Sequence, residues 1–271
     1  MGAIIDTPKK LRNYRAIWQR KPALRVVYND FYDRITATCV PGATIEIGGG
    51  VGNLKERLDD VIATDIQFAP WLDAVADAQY LPFAPCSAAN IVMIDVLHHL
   101  EYPVAFFREA QRVLRPGGRV VMVEPAITWG STLFYRLMHP EPVCMSADIL
   151  GEGEPDPRRD PYHSNQAIPT LLATSDRNRF HSLFPELRIV RVDWFAFAAY
   201  ALSGGFKSWS LISESFARRL LQVERLIETA VGRFGAFRMM LVIDKATTQD
   251  APRSARCRLS SPAPAERGGS A

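Results

Sequence analysis

The sequence predicts an α/β fold built on a largely parallel sheet. Three observations lead to this prediction. Short β-branched and apolar runs alternate with amphipathic helical segments, which is typical of β-α-β units. A glycine-rich loop follows the first predicted strand. The chain has 271 residues, of which 48% are hydrophobic, enough for one large domain with a well-buried core.

The net charge of +3 is unevenly distributed along the chain. Residues 1–25 carry +6 and residues 247–271 carry +2, so the remainder carries −5. An acidic body argues against a nucleic-acid partner, because nucleic-acid-binding domains carry a basic patch or stripe. The four cysteines are scattered, no signal-peptide pattern opens the chain, and the longest apolar run is too short to cross a membrane. The predicted compartment is therefore the reducing cytoplasm.

Two helices are predicted over residues 8–38, where apolar side chains recur at intervals of three and four residues. Pro22 separates them, because a helix usually ends before the residue that precedes a proline. From Thr44 the pattern changes. Strands are predicted at TIEIG, VIATD, ANIVMIDVL and RVVMVEP, and helices at NLKERLDD and VAFFREAQRVLR.

Residues 126–187 interrupt this alternation with a proline-rich excursion, which is interpreted as a substrate cap or lid. Helices are predicted within it at STLFYRLMH and PTLLATSDRNRFHSLFP. After it come a strand at LRIVRVDWFAFAAY, a helix at SLISESFARRLLQVERLIETAVG and a final strand at FRMMLVIDKA. The low-complexity residues 247–271 are predicted to be a disordered tail, so the domain is expected to cover residues 1–246.

The central motif is the run EIGGGVGN at residues 46–53, in which Gly48, Gly50 and Gly52 lie between a strand and a helix. Glycines let the backbone turn tightly and approach a ligand closely. A dinucleotide fingerprint would need a third glycine at Asn53, so a nicotinamide site fits poorly. Asp65 ends the next strand, where a carboxylate can accept both hydroxyls of a ribose or, alternatively, cap a helix.

The segments EIGGGVGNLKERL, TDIQ, DAQYLPF, VLHHL and LRPGGRVVMVEP follow one another as they do in class I S-adenosylmethionine-dependent methyltransferases. The chain resembles the small-molecule branch of this family over residues 42–125. The resemblance implies a doubly wound, mostly parallel seven-stranded sheet of the Rossmann-like methyltransferase fold. Together with this domain, the sequence itself predicts an N-terminal helical cover over residues 1–40 and an inserted cap over residues 126–187. The resemblance further implies S-adenosylmethionine as cofactor and S-adenosylhomocysteine as product.

The resemblance also implies roles for individual residues. Glu46 and the three glycines, with Asn53 beside them, match the loop around the amino-acid part of the cofactor. Asp65 matches the ribose-binding acid and Ile66 its neighbour beside the adenine. Asp77 and Ala78 match the pair at the adenine amino group, and Asp95 and Val96 match the strand end that lines the sulfonium.

Candidates for the acceptor side are histidines and one acid. His98 and His99 follow the fourth strand, at the end of the sheet where ligands bind, although either could pack in the core or cap a helix. His163, in the polar segment DPYHSNQ, is the preferred general base, and a solvated loop histidine is the alternative. Glu124, after the fifth strand, could also face the acceptor. No metal is predicted, because no pair of His, Asp or Glu has convincing ligand spacing.

The predicted function is methyl transfer to a small molecule, with a hydroxyl of a metabolite or of a glycan or lipid precursor as the preferred acceptor. The alternatives are an RNA methyltransferase and a non-catalytic cofactor-binding regulator. The basic residues 9–25 either cover the mouth of the site or contact a membrane or a phosphate-bearing substrate. The second option would place the protein at the periphery of a membrane.

Overall fold

The computed structural model describes residues 7–138, 141–156 and 158–247, which contain one seven-stranded sheet with helices on both faces. The strands are β1 (Thr44–Ile47), β2 (Val61–Asp65), β3 (Ala74–Val75), β4 (Ala88–Ile94), β5 (Leu114–Pro125), β6 (Leu187–Phe195) and β7 (Arg238–Lys245). Their order is β3-β2-β1-β4-β5-β7-β6, and only β7 runs antiparallel to its neighbours. The predicted fold class is confirmed.

Eight α-helices lie in the described part of the chain. They are α1 (Lys9–Arg20), α2 (Pro22–Thr36), α3 (Pro103–Val113), α4 (Trp129–Met138), α5 (Ile168–Ala173), α6 (Arg177–Leu183), α7 (Ala198–Ser203) and α8 (Glu214–Gly235). Pro22 separates α1 from α2 and is the first residue of α2, where its missing N–H leaves no hydrogen bond unmade. None of the helices in this part of the chain is long and apolar enough to cross a membrane.

The sheet is buried by two apolar layers. On one face, Phe106 and Phe107 of α3 pack with helices α5 and α6. On the other face, Leu24 and Phe31 of α2 pack with α7 and α8. The chain passes from β1 to β2 on one side and returns to β4 on the other, so the strand order reverses beside β1. In a doubly wound sheet, the crevice at the carboxyl ends of these strands is where ligands bind.

Three predicted elements differ from those observed. The segment after the glycine loop forms only a short 3-10 helix, Asn53–Glu56, instead of the predicted helix over NLKERLDD. The second cap helix is divided into α5 and α6. The strand predicted through Tyr200 ends at Phe195. The buried carboxylate of Glu224 in α8 accepts the backbone N–H groups of Phe197 and Ala199, which starts α7 instead.

The predicted tail lies outside the described residues from residue 248 onward. The excursion at residues 126–187 contains α4, α5 and α6 and, in its described parts, the loops between them.

Candidate functional site

A cavity of about 910 Å³ opens at the carboxyl ends of β1, β4 and β5. Its floor includes the glycine loop, the residues after β2 and the residues after β4. Lys10, Leu11 and Tyr14 of α1 line it from one side, and Phe206 and Lys207 line it beyond α7. Helix α1 therefore lies along the cavity.

The glycine loop has a conformation that only glycine adopts easily. Gly48, Gly50 and Gly52 all have positive φ angles, of 68°, 49° and 77°. A Cβ on Gly48 would lie 2.2 Å from Cγ2 of Val96, so this residue also lets the loop pack against the end of β4. A Cβ on Gly50 would meet only the Gly48 carbonyl oxygen, at 3.8 Å, which leaves the loop surface open toward the cavity.

Asp65 lies at the end of β2 and is bound to the glycine loop. Its Oδ2 accepts the N–H of Gly50 at 3.1 Å, and its Oδ1 accepts the N–H of Gln67 at 2.9 Å. Burial raises the pKa of Asp65, and these backbone hydrogen bonds offset part of that rise. The carboxylate is therefore fixed at the cavity wall with spare lone pairs, which is the arrangement needed to accept hydroxyl groups.

Glu46 lies in β1, beneath the loop, and is 4% exposed. Its Oε2 has no hydrogen-bond partner among the described residues. Burial and the nearby charge of Asp65 raise the pKa of Glu46 to about 8. A buried carboxyl oxygen without a partner is costly, so this geometry calls for a ligand with a hydrogen-bond donor or a positive charge.

The other residues expected at the cofactor are Ile66, Asp77, Ala78 and Asn53. Ile66, Asp77 and Ala78 line the same cavity. Oδ1 of Asp77 accepts the N–H of Gln79 at 2.8 Å. Asn53 is placed differently, because its side chain is buried and is absent from the cavity wall. A contact between Asn53 and the cofactor stays a prediction, and the backbone of Asn53 begins the 3-10 helix.

Asp95 and Val96 follow β4 at the centre of the cavity. Asp95 has a positive φ of 58°, a strained conformation for a residue with a Cβ, and such strain concentrates at functional sites. The buried guanidinium of Arg238 in β7 forms an ion pair with Asp95 and donates to the hydroxyl of Tyr200. Tyr28 of α2 donates to Asp95 as well, at 3.3 Å.

Glu124 is fully buried and is not among the residues that line the cavity, although its carboxylate bonds residues that do. Its Oε1 accepts the N–H groups of Val96 and Leu97, and its Oε2 lies 2.7 Å from Nδ1 of His98. Because its hydrogen bonds go to the turn after β4, Glu124 is a positioning residue that fixes that turn and orients His98.

His98 and His99 line the cavity together, and their ring centroids are 4.2 Å apart. Burial lowers the pKa of His98, but the hydrogen bond and charge of Glu124, with the nearby Glu141, outweigh it and raise that pKa to about 9. Burial and the charge of His98 lower the pKa of His99 to about 4. One ring is thus cationic and the other neutral at pH 7.

Glu141 completes this polar cluster. Its Oε2 lies 3.6 Å from Nε2 of His98 and accepts a hydrogen bond from Gln166. Nδ1 of His99 and Oε1 of Gln166 are buried without a partner among the described residues. The cluster therefore presents two open acceptor atoms beside a cation and a carboxylate. His98, His99 and Glu141 could also supply metal ligands, since their ligand atoms lie within 4.8 Å of one another.

His163, the preferred general base, is not placed in the main cavity. It lines a second, smaller cavity near α5, and its carbonyl oxygen accepts a hydrogen bond from Arg159. The polar segment around it does reach the main cavity through Tyr162 and Gln166. The hydroxyl of Tyr162 donates to Gln67 at 2.9 Å. The segment therefore lies beside the main cavity, and the role of His163 as a general base stays a prediction that this placement does not favour.

Two functional candidates were missed by sequence reasoning. Arg238 begins the last strand, and Glu141 lies in the proline-rich excursion. Neither belongs to a local motif. The antiparallel insertion of β7 next to β5 is what carries Arg238 to the carboxyl end of the sheet.

The residues present fit S-adenosylmethionine. The cavity offers an unpartnered carboxyl oxygen on Glu46 for a cationic amino group, an open glycine loop, and a fixed carboxylate on Asp65 for a ribose. The fold and this site define a Rossmann-like methyltransferase.

Comparisons with known proteins agree with that class. Residues 45–122 match the family model described as a methyltransferase domain. The methyltransferase resemblance found in the sequence is thus confirmed over residues 45–122. A comparison with curated protein sequences gives no match.

Solved structures resemble the chain at low sequence identity. A methyltransferase from Thermotoga maritima, described as a possible histamine N-methyltransferase, is 11% identical with a TM-score of 0.50, covering 82% of this chain and 91% of its own. One from Archaeoglobus fulgidus is 14% identical with a TM-score of 0.49, covering 82% and 94%. Geranyl diphosphate C-methyltransferase from Streptomyces coelicolor is 10% identical with a TM-score of 0.43, covering 81% of each chain.

Proposed function

We propose that this enzyme transfers the methyl group of S-adenosylmethionine to a hydroxyl oxygen of a small molecule, such as a metabolite or a glycan or lipid precursor. The observation that carries the proposal is the polar cluster of His98, His99, Glu141 and Gln166. It shares one cavity with the glycine loop and with Asp95.

The methyl donor needs little activation by the protein. The sulfonium of S-adenosylmethionine is already an activated methyl donor, so the reaction needs no metal and depends mainly on alignment. A neutral hydroxyl must lose its proton as the new bond to carbon forms, which requires a base within hydrogen-bond reach.

His99 is the best candidate for that base. Its lowered pKa of about 4 keeps the ring neutral at pH 7, and its buried Nδ1 has no partner among the described residues. An acceptor hydroxyl donating to this nitrogen would pass its proton there as the methyl group is transferred. Glu141 would stabilise the imidazolium that results, since its charge favours protonation of His99.

The remaining wall of the cavity favours an acceptor with an apolar body. Tyr14, Tyr28, Phe206 and Trp209 line this part, and the rings of Tyr14 and Phe206 lie 4.9 Å apart. Aromatic side chains bind apolar or aromatic groups through large contact areas. The supported acceptor is therefore a hydroxyl attached to an apolar skeleton.

The test measures S-adenosylhomocysteine formation with a panel of hydroxylated, amino and carbon acceptors of similar size. We expect turnover with hydroxylated compounds, and a loss of about 100-fold or more in kcat for His99→Ala. His181→Ala, at a histidine in α6 that is absent from the main cavity, is the matched control and should retain full activity. Turnover only with amines, or an unchanged kcat for His99→Ala, would contradict the proposal.

A further inference from the structure

Helices α4 and α8 carry an exposed apolar surface. Large apolar side chains on these helices face solvent. They are Trp129 (90% exposed), Leu226 (82%), Leu133 (67%), Phe234 (66%), Val223 (55%) and Phe216 (51%). Contiguous apolar patches on a protein surface mark sites that contact a partner or a membrane. We refer to these six residues as the α4–α8 face.

The α4–α8 face is continuous because of helical spacing and one close helix contact. On α8, Phe216, Val223 and Phe234 are separated by seven and eleven residues, so they lie along one side of the helix. A Cβ added to Gly130 of α4 would lie 2.9 Å from Cα of Gly235, so the two helices touch at the end of α8. Trp129 and Leu133, one helical turn apart, extend the surface from that point.

The charges around this face are basic. Arg219 and Arg233 of α8 make no ion pair with any residue in the described part of the chain. The acids of the same helix are occupied. Glu214 pairs with Arg218, Glu228 pairs with Arg34, and Glu224 is buried on the N–H groups that start α7.

A second copy of the chain fits this pattern poorly. Two α8 helices packed antiparallel would align Phe216 of one with Phe234 of the other. That register places Arg219 of each helix opposite Val231 of the other, two residues from Arg233, so two pairs of arginines would lie close together across the contact. An anionic bilayer would meet the same arginines with opposite charge, and the exposed aromatic and leucine side chains would enter its interfacial region.

We propose that the α4–α8 face docks the protein on the surface of an anionic membrane. Phe134, on the inner side of α4, lines the main cavity, whereas Trp129 and Leu133 face outward. A membrane at this face would therefore lie one helix away from the methyl-transfer cavity.

The test is flotation of the full chain with vesicles of phosphatidylcholine, with and without phosphatidylserine. We expect binding only to the vesicles with phosphatidylserine, weakening as salt screens the arginines. Leu226→Glu should reduce binding about tenfold or more. Leu183→Glu, the same change at an exposed leucine of α6, should leave it unchanged.

A second pair of variants separates this surface from the basic α1. Arg219→Gln/Arg233→Gln and Lys9→Gln/Arg20→Gln remove the same charge, and only the first pair should weaken binding. Equal loss with both pairs, or no binding by the unmodified chain, would overturn the proposal. A dimer detected by light scattering that Leu226→Glu converts to a monomer, without vesicle binding, would assign the face to a second copy instead. Each variant should bind S-adenosylhomocysteine normally, so methyl transfer is tested independently.

Discussion

At the scale of single residues, the most informative side chain is Glu46. It is buried beneath the glycine loop, has one oxygen without a partner among the described residues, and has its pKa raised to about 8 by burial and by Asp65. At pH 7 the free protein therefore holds a proton on this carboxyl group. A bound ligand with an ammonium group would favour the carboxylate, so that proton would leave on binding.

We expect S-adenosylhomocysteine binding at pH 7 to release nearly one proton. Calorimetry in phosphate and in Tris checks this, because the apparent enthalpy then depends on the ionisation enthalpy of the buffer. The Kd should fall roughly five- to tenfold between pH 6.5 and 7.5, as Glu46 becomes easier to deprotonate. Glu46→Gln should bind more weakly and release no proton. Identical enthalpies in both buffers for the unmodified protein would refute this linkage.

His98 gives a second prediction, about stability. Its pKa in the folded protein is raised to about 9, above the ordinary 6.5, chiefly because Glu124 and Glu141 outweigh the cost of burial. The stability from its protonation is thus fully present below pH 6.5 and is lost as the pH rises through about 9. The loss should be roughly 3 kcal/mol, from a shift of that size in a buried group.

Urea unfolding at pH 6 and at pH 9.5 measures this effect. His98→Gln cannot titrate, so its free energy of unfolding should decline less over this range than that of the unmodified protein. Groups that do not interact with His98 titrate equally in both proteins, so the difference between the two profiles reports His98 and the groups coupled to it, chiefly Glu124 and His99. Parallel profiles would show that the ion pair with Glu124 contributes nothing measurable.

At the scale of elements, the position of α1 depends on Lys21, at the junction of α1 and α2. Its Nζ donates to the carbonyl oxygens of Gly205 at 2.6 Å and Lys207 at 2.8 Å. These bonds join two segments that line the cavity, because Tyr14 of α1 and Phe206 after α7 both line it and their rings lie 4.9 Å apart. Helix α1 is thus held to the segment after α7 by a buried, charged hydrogen-bond donor.

Lys21→Met should make helix α1 less firmly held against the cavity. Losing two charge-assisted hydrogen bonds makes local opening of α1 more frequent, and we expect thermolysin to cleave within α1 about tenfold faster or more. Lys9→Met, the same substitution at an exposed lysine of α1, should not change the rate. A rate for Lys21→Met equal to that of the unmodified protein would show that α1 is held by its apolar contacts alone.

Elements were predictable where one local signal decided them. The strand TIEIG, the glycine loop and the break at Pro22 follow from short-range sterics, and all are observed. The start of α7 was not predictable, because it depends on Glu224, 25 residues further along the chain. The site residues also divide into those marked by a local motif and those placed by long-range contacts. Asp65 belongs to a recognisable sequence motif, whereas Glu141 is brought to the cavity by the tertiary fold of residues 126–187.

At the scale of the whole molecule, the sheet gathers residues that are distant in the chain. Asp95 after β4, Arg238 in β7 and Tyr200 in α7 form one buried network at the carboxyl end of the sheet. The same end holds the glycine loop and Asp65. Cofactor binding should therefore stabilise the domain as a unit, because its contacts would join segments from both halves of the chain.

The last prediction measures that coupling. Ligand that binds only the folded state adds RT ln(1 + [L]/Kd) to its stability, about 2.7 kcal/mol at 100 times Kd. For a domain of this size, we expect S-adenosylhomocysteine to raise the Tm by about 5–10 °C. Asp65→Asn should abolish most of this rise, because it weakens the acceptor held by Gly50 and Gln67. Asp148→Asn, at an exposed acid paired with Arg179, is the matched control and should show the full rise. An undiminished rise in Asp65→Asn would place the ligand elsewhere in the molecule.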